Sequence, residues 1–226
     1  MECFFKKEKI IEHTANIKEK KFTKATGAIV AEVFRKNIEY VLQKNHLEND
    51  YKVSENNVYI AGCHIEFDFL ILKKSAKRIE AFPLKDYDSN IKFELPIYNA
   101  EDVVAVLESK TYGIYSLYKG RDGDTETQLQ KNDLYRFVTA YNDILKRSNP
   151  EIKIGYMCLA EQRPNQGVSN FIEKTIYFFE DFFGNKYADN TKNWHVYYAK
   201  CQYTSKTADV YASDDDWEKF VINLVQ

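Results

Sequence analysis

What this chain has little of narrows its class first. Its 226 residues include eight glycines and four prolines, about half and a third of ordinary usage. Low-complexity linkers and disordered tracts are thereby excluded as a main component, and long regular elements are favoured. Four cysteines, Cys3, Cys63, Cys158 and Cys201, are widely scattered. With no CxxC and no Cys/His pair at zinc-ligand spacing, neither a structural zinc site nor a disulfide framework is expected, and reduced thiols in a cytoplasmic protein are the default. No apolar run approaches the ~20 residues that span a bilayer. The start, "MECFFKKEKIIEH", lacks the apolar stretch of a signal peptide, so no membrane partner is expected. The net charge is −2. Nucleic-acid binding therefore has to come from a local basic patch and not from bulk charge. There is no glycine-rich phosphate loop and no Gly-x-Ser-x-Gly elbow.

What is present is a chain that can build a core: 44% hydrophobic and 15% aromatic. Residues 1–24 are Lys- and Glu-rich and read as an arm or short helix, with a basic cluster at Lys18, Lys20, Lys21 and Lys24. Helical periodicity runs over 25–46, where Ile29, Val33, Ile38, Val41 and Leu42 share a face and Glu32 lies among them. Residues 51–73 predict two strands. In the second, "CHIEFDFLILKK", Phe67, Phe69 and Ile71 point one way and His64, Glu66, Asp68 and Leu70 the other. Residues 74–100 read as irregular, with one strand near "IKFELPIY". A loop, "SLYKGRDGDTE", precedes a long helix over about 125–147. Then come a strand "IKIGYMCLAE", a helix in "VSNFIEKTIYFFEDFF", a strand "WHVYYAKCQ" and a closing helix "DDDWEKFVINLV". This order predicts a single α/β domain over 25–226 around a mixed sheet.

The chemistry concentrates in "DVVAVLESK", residues 102–110. The run is apolar on both faces, as in a central strand covered on both sides, until Glu108 and Lys110 appear at its C-terminal end. These two are i and i+2, so both leave the same face. Ligands in open α/β sheets sit at such strand ends. Asp68, on the polar face of the other strongly apolar strand, converges on the pair if the two strands are neighbours. Carboxylates brought within a few ångströms repel one another. A hard divalent cation relieves that repulsion, and a lysine beside them can orient a water or offset developing phosphoryl charge.

An acid in "EFDFLIL" followed at a distance by Glu-x-Lys closing "VVAVLESK" resembles the PD-(D/E)XK nuclease superfamily, the restriction-endonuclease-like fold, and is similar to a branch of uncharacterised bacterial domains. The order helix, strand meander, helix, strand matches that layout. The resemblance implies a three-layer α/β/α fold with a central mixed sheet. It implies that Asp68, Glu108 and the backbone carbonyl of Ser109 hold Mg²⁺, with Mn²⁺ able to substitute, and that Lys110 positions or activates the attacking water. Glu32 fits the acid that many members place on the first helix, with Glu39 a weaker alternative. The implied reaction is phosphodiester hydrolysis in nucleic acid, DNA ahead of RNA and endonuclease ahead of exonuclease, with a homodimer as an assembly open to it. The alternative is the same fold kept as an inactive module for nucleic-acid or protein binding.

The chain departs from that pattern in two ways. Phe67 stands where the family has proline, and the gap from Asp68 to Glu108 requires residues 74–100 to leave the sheet. Around the site, Glu66 is a secondary metal candidate, and His64 reads mainly as part of an exposed sheet face. The basic run "KKSAKR" offers Lys73, Lys74, Lys77 and Arg78 as phosphate contacts, with a solvated loop equally open.

Overall fold

A computed structural model describes residues 23–63, 65–79, 96–110, 148–161, 194–203, 208–211 and 214–226. The first helix among the described residues, α1 (Thr23–Lys44), buries Val30, Phe34, Ile38, Val41 and Leu42 at helical spacing. Phe34 is fully buried, whereas Val33 packs only at the edge of the core. The helix stops in a left-handed residue, His46, at φ 58°. Leu47 N–H returns to the Leu42 carbonyl at 2.8 Å and His46 N–H to that of Gln43 at 3.1 Å. These are the paired bonds of a Schellman cap.

Eight strands follow among the described residues: β1 (Tyr51–Val53), β2 (Tyr59–Ile60), β3 (Phe69–Lys73), β4 (Ile97–Tyr98), β5 (Val103–Lys110), β6 (Lys153–Glu161), β7 (Trp194–Tyr203) and β8 (Ala208–Tyr211). Six of them form one sheet in the order β1-β3-β5-β6-β7-β8, and β2 pairs with β4 separately. The sheet is mixed. β1, β3 and β5 are mutually antiparallel, β5, β6 and β7 are parallel, and β8 is antiparallel to β7. The fold is therefore α/β, with β3 and β5 as direct neighbours, so residues 74–100 do not separate them.

Two expectations change in detail. The strand through "CHIEFDFLILKK" is shorter than its alternation suggests: β3 begins at Phe69, and Phe67 instead forms an isolated bridge with Val58. In β5 the alternation holds from Ala105 onward, but the register slips between Ile71 and Leu72, which pair with Ala105 and Val103. Val104 is the extra residue of this bulge. In consequence Val103 packs with Val106, and Val104 turns to the other side. β8 was not foreseen from its short sequence "ADVY".

Each sheet face carries its own core. Phe69, Ile71, Ala105, Leu107, Met157 and Tyr197 meet α1 and the closing helix α2 (Asp214–Val225). Trp217 of α2 sits among Phe34, Tyr197 and Phe220, with ring centroids 5.6, 4.7 and 5.5 Å away. Burying each such side chain stabilises by about 1.5–3 kcal/mol. Gly155 of β6 lets α2 come close: a Cβ there would lie 2.3 Å from Leu107 Cδ2 and 3.1 Å from Leu224 Cδ2. Lys44 Nζ meets Glu218 at 2.5 Å and Asn45 Nδ2 donates to the same carboxylate at 2.9 Å, joining the end of α1 to α2. The opposite face buries Leu70, Leu72, Val103, Val106, Ile152 and Ile154 beneath Val58, Ile60, Phe67 and Tyr98. The expected N-terminal arm through residue 22 and the helices expected at 125–147 and within 168–183 lie outside the described residues.

Candidate active site at the end of the central strands

Extending the Phe69–Leu107 pairing of β3 and β5 by one step sets Asp68 across from Glu108. The two carboxylate-bearing positions picked out in the sequence thus follow the last pair of this ladder, and Asp68 contacts Ser109, the residue after Glu108. They stand at the C-terminal end of β5, and parallel β6 and β7 end on the same side of the sheet. Lys110 closes β5, opposite Cys158 of β6. Its backbone continues the pleat without a break, which keeps position 110 on the strand face of position 108. Its side chain lies outside the described residues.

The backbone explains how Asp68 is held. Leu70 gives its N–H to Ser54 Oγ at 2.8 Å and its carbonyl accepts Ser54 N–H at 2.9 Å. Leu70 thus faces β1, and by alternation Phe69 and Ile71 face β5. A straight strand would then aim Phe67 at Ser109. Instead, both main-chain groups of Phe67 bond to Val58, each at 2.9 Å. Ser109 N–H loses its ladder partner, and Asp68 takes that place. Its Oδ2 accepts the Ser109 N–H at 2.6 Å and the Ser109 hydroxyl at 2.7 Å. A strand residue's carbonyl leaves on the same side as its N–H. The Ser109 carbonyl therefore leaves β5 on the side of Asp68.

A bulge turns Phe67 away. The β1–β3 pairing has Val53 opposite Ile71, but four residues further back on β3 it is Val58, five residues on from Val53, that pairs with Phe67. One extra residue is inserted between Ser54 and Val58. Asn57, at φ 59°, absorbs it in the left-handed region where asparagine is tolerated, and its N–H bonds to the Asp68 carbonyl at 2.9 Å. Bulges often re-aim a side chain beside functional sites.

Glu32 is brought to this end of the molecule but not onto the Asp68–Glu108 pair. Its Oε2 accepts Arg35 Nε at 2.8 Å and Asn56 Nδ2 at 3.0 Å, and its Oε1 accepts Arg35 Nη2 at 2.7 Å. The Arg35 guanidinium holds the Glu32 carboxyl below its ordinary range, with Asn56 adding to the effect. Arg35 also reaches Glu39 at 2.6 Å, so both helix acids are paired to one guanidinium. Asn56 links Glu32 to the bulge that shapes the Asp68 segment. Glu66 is exposed and accepts the Tyr59 hydroxyl at 2.6 Å. His64 lies outside the described residues.

The basic run is not gathered at the site. Lys73 and Lys74 are exposed at the far end of β3, about 17 Å along the strand from Asp68 at the usual rise. Lys77 is exposed, and Arg78 folds back to pair with Glu55 at 2.5 Å. Among the described residues no three His, Cys, Asp or Glu side chains gather around one point, and no helix is long and apolar enough to cross a membrane. A site of two carboxylates and a carbonyl still suits Mg²⁺, which keeps several waters and commonly takes one or two protein carboxylates. Sequence reasoning missed Asn56, Asn57, Arg35 and the Ser109 side chain. The pair "NN" within a strand-like stretch was the available signal for the bulge.

No protein-family model matches this chain, and no curated protein matches it. Among solved structures it is similar to NucC of E. coli MS115-1 in its cAAA-bound form, at 13% identity and a TM-score of 0.47, over 98% of this chain and 86% of that one. It is similar to NucC of P. aeruginosa ATCC27853, cAAA-bound, at 12% identity and a TM-score of 0.38, over 90% of this chain and 89% of the other. The apo form of the E. coli protein gives 12% identity and a TM-score of 0.39, over 87% and 89% of the two chains.

Proposed function

We propose that this chain is a metal-dependent phosphodiesterase acting on nucleic acid, with DNA the first substrate to test, on a restriction-endonuclease-like α/β core. One observation carries the reading. Asp68 Oδ2 accepts the Ser109 N–H and hydroxyl at the C-terminal end of a central strand, which sets its carboxylate beside the residue that follows Glu108. The Asp68 and Glu108 carboxylates and the Ser109 carbonyl would hold Mg²⁺, with Mn²⁺ able to replace it. Once bound, the ion would supply Lewis-acid stabilisation of charge developing on the phosphoryl group. Lys110, the last residue of β5, would orient the attacking water and favour its deprotonation. Rigid strands on both sides of β5 would keep these groups fixed, which is what in-line attack demands. Glu32 could join only by leaving its bonds to Arg35. The phosphate-binding role of Lys73, Lys74 and Lys77 would apply to substrate extending well beyond the scissile bond.

The test is cleavage of single- and double-stranded DNA and RNA by the purified chain, with Mg²⁺ and with chelator. Mg²⁺-dependent cleavage that Lys110→Ala and Asp68→Asn each lower by at least about a hundredfold is expected, in line with loss of a general base or activating group. Nucleic-acid binding with no cleavage under any condition would assign the chain to the alternative, a non-catalytic module on the same fold.

A further inference from the structure

We infer that the Ser109 side chain is a positioning group for Asp68: its hydroxyl fixes which carboxylate oxygen is turned toward the cation. The inference rests on the reading of Asp68 and Glu108 as cation ligands, and goes beyond it. That reading uses the main-chain carbonyl of Ser109 and asks nothing of the hydroxyl.

Three observations point to this role. Ser109 is 8% exposed, so its hydroxyl is taken from water and its hydrogen bond is not freely exchanged for solvent. The hydroxyl donates at 2.7 Å to Asp68 Oδ2, the same oxygen that accepts Ser109 N–H at 2.6 Å. A single donor leaves a carboxylate free to swivel about its contact. Two donors approaching one oxygen, from the main chain and from a side chain, fix the plane of the group. Among the described residues, Oδ1 accepts no hydrogen bond, and it is the oxygen left for a cation. Finally, Asp68 precedes β3 at a bend, where Phe67 has left the ladder for Val58. No regular strand pairing holds the Asp68 side chain there, so its orientation depends on Ser109.

The position would tolerate other residues if packing alone mattered. Ser109 lies opposite Met157 in the β5–β6 register, on the face covered by α1 and α2. The neighbours on that face are apolar, yet a hydroxyl is present and spent on Asp68. Groups that orient a metal ligand typically change metal affinity by 10- to 100-fold when removed.

The experiment is Mn²⁺ binding to the full chain, followed by the electron paramagnetic resonance signal of free Mn²⁺. It compares the wild type with Ser109→Ala, Ser109→Thr, Ser109→Val and Asp68→Asn. Thr and Val have nearly the same shape and both suit a strand; they differ in the hydroxyl. The expected result is wild-type affinity in S109T, with affinity about tenfold or more weaker in S109V and S109A and a larger loss in D68N. Thermal melts confirm that each variant is folded, and the T/V comparison still decides the matter if S109A is not. Wild-type affinity in S109V and S109A, alongside loss in D68N, would overturn the positioning role and leave the cation site intact. Binding that is absent from the wild type, or unchanged by D68N, would remove the cation site itself and the inference with it.

Discussion

Asp68 caps Ser109: one carboxylate oxygen accepts both the main-chain N–H and the hydroxyl of Ser109, at 2.6 and 2.7 Å. The bond replaces a ladder hydrogen bond to the Phe67 carbonyl, which accepts Val58 N–H instead. Asp68 therefore has a structural task as well as its proposed chemical one, and substitutions can separate the two. Asp68→Asn keeps an acceptor for Ser109 and is expected to melt close to the wild type while losing cleavage. Asp68→Ala strands a buried N–H and is expected to cost about 1–3 kcal/mol of stability. Thermal melts beside cleavage assays of both variants check this. Equal melting of the two would show that the cap contributes nothing to stability.

Gly155 is required by the approach of Leu107 in the neighbouring strand, with Leu224 of α2 behind it. A Cβ would meet Leu107 Cδ2 at 2.3 Å, with Leu224 Cδ1 and Cδ2 at 3.3 and 3.1 Å. Gly155→Ala forces two core leucines to shift, an overpacking cost of about 1–3 kcal/mol. For a chain of this size that lowers the melting temperature by roughly 2–4 °C per kcal/mol. A melting temperature at or above the wild type would mean that Leu107 and Leu224 do not crowd Gly155 as the structure has it.

His46 occupies the left-handed position of the α1 cap, at φ 58°. A residue with a Cβ is disfavoured there by roughly 1 kcal/mol relative to glycine. His46→Gly is expected to raise stability by about 0.5–1 kcal/mol, read by denaturant midpoint. A fall in the midpoint would indicate that the imidazole makes a compensating contact.

Glu32 gives a pH signature. Arg35, and then Asn56, hold its carboxyl below the ordinary value of about 4.5. A lowered native value means that the unfolded chain binds the proton first as pH falls. The stability lent by Glu32 is thus complete above about pH 4.5 and is lost as pH drops through the lowered native value. The side chain is 42% exposed, so solvent screening limits the effect to at most about 1 kcal/mol. Melting curves of wild type and Glu32→Gln should differ at pH 7 and converge as pH falls through the lowered native value. A gap independent of pH would contradict the assignment.

The parts of this molecule legible in its sequence were those with a strong period. The apolar runs of β5, β6 and β7, the stripe of α1 and the closing α2 all fall where expected. The pairing of β3 with β5 also follows, because two strands that are each buried on both faces belong side by side in the middle of the sheet. What escaped was set by single residues with no periodic signature. Asn57 inserts a bulge, Val104 inserts another, and each moves its neighbours to the other face. Arg35 shows the same limit. On α1 it sits one turn from both Glu32 and Glu39, and charge spacing alone allowed those acids to serve the site or to pair locally. The basic run "KKSAKR" follows β3 directly, yet strand direction carries it away from Asp68, which lies before the first residue of that strand.

The account stands or falls on a cation between Asp68 and Glu108. The most direct measurement is the anomalous difference map of crystals soaked in Mn²⁺. The account predicts one peak within bonding distance, about 2.0–2.6 Å, of a carboxylate oxygen from each of Asp68 and Glu108 and of the Ser109 carbonyl. A map with no peak there, or with the two carboxylates turned to opposite sides of the sheet, would contradict it.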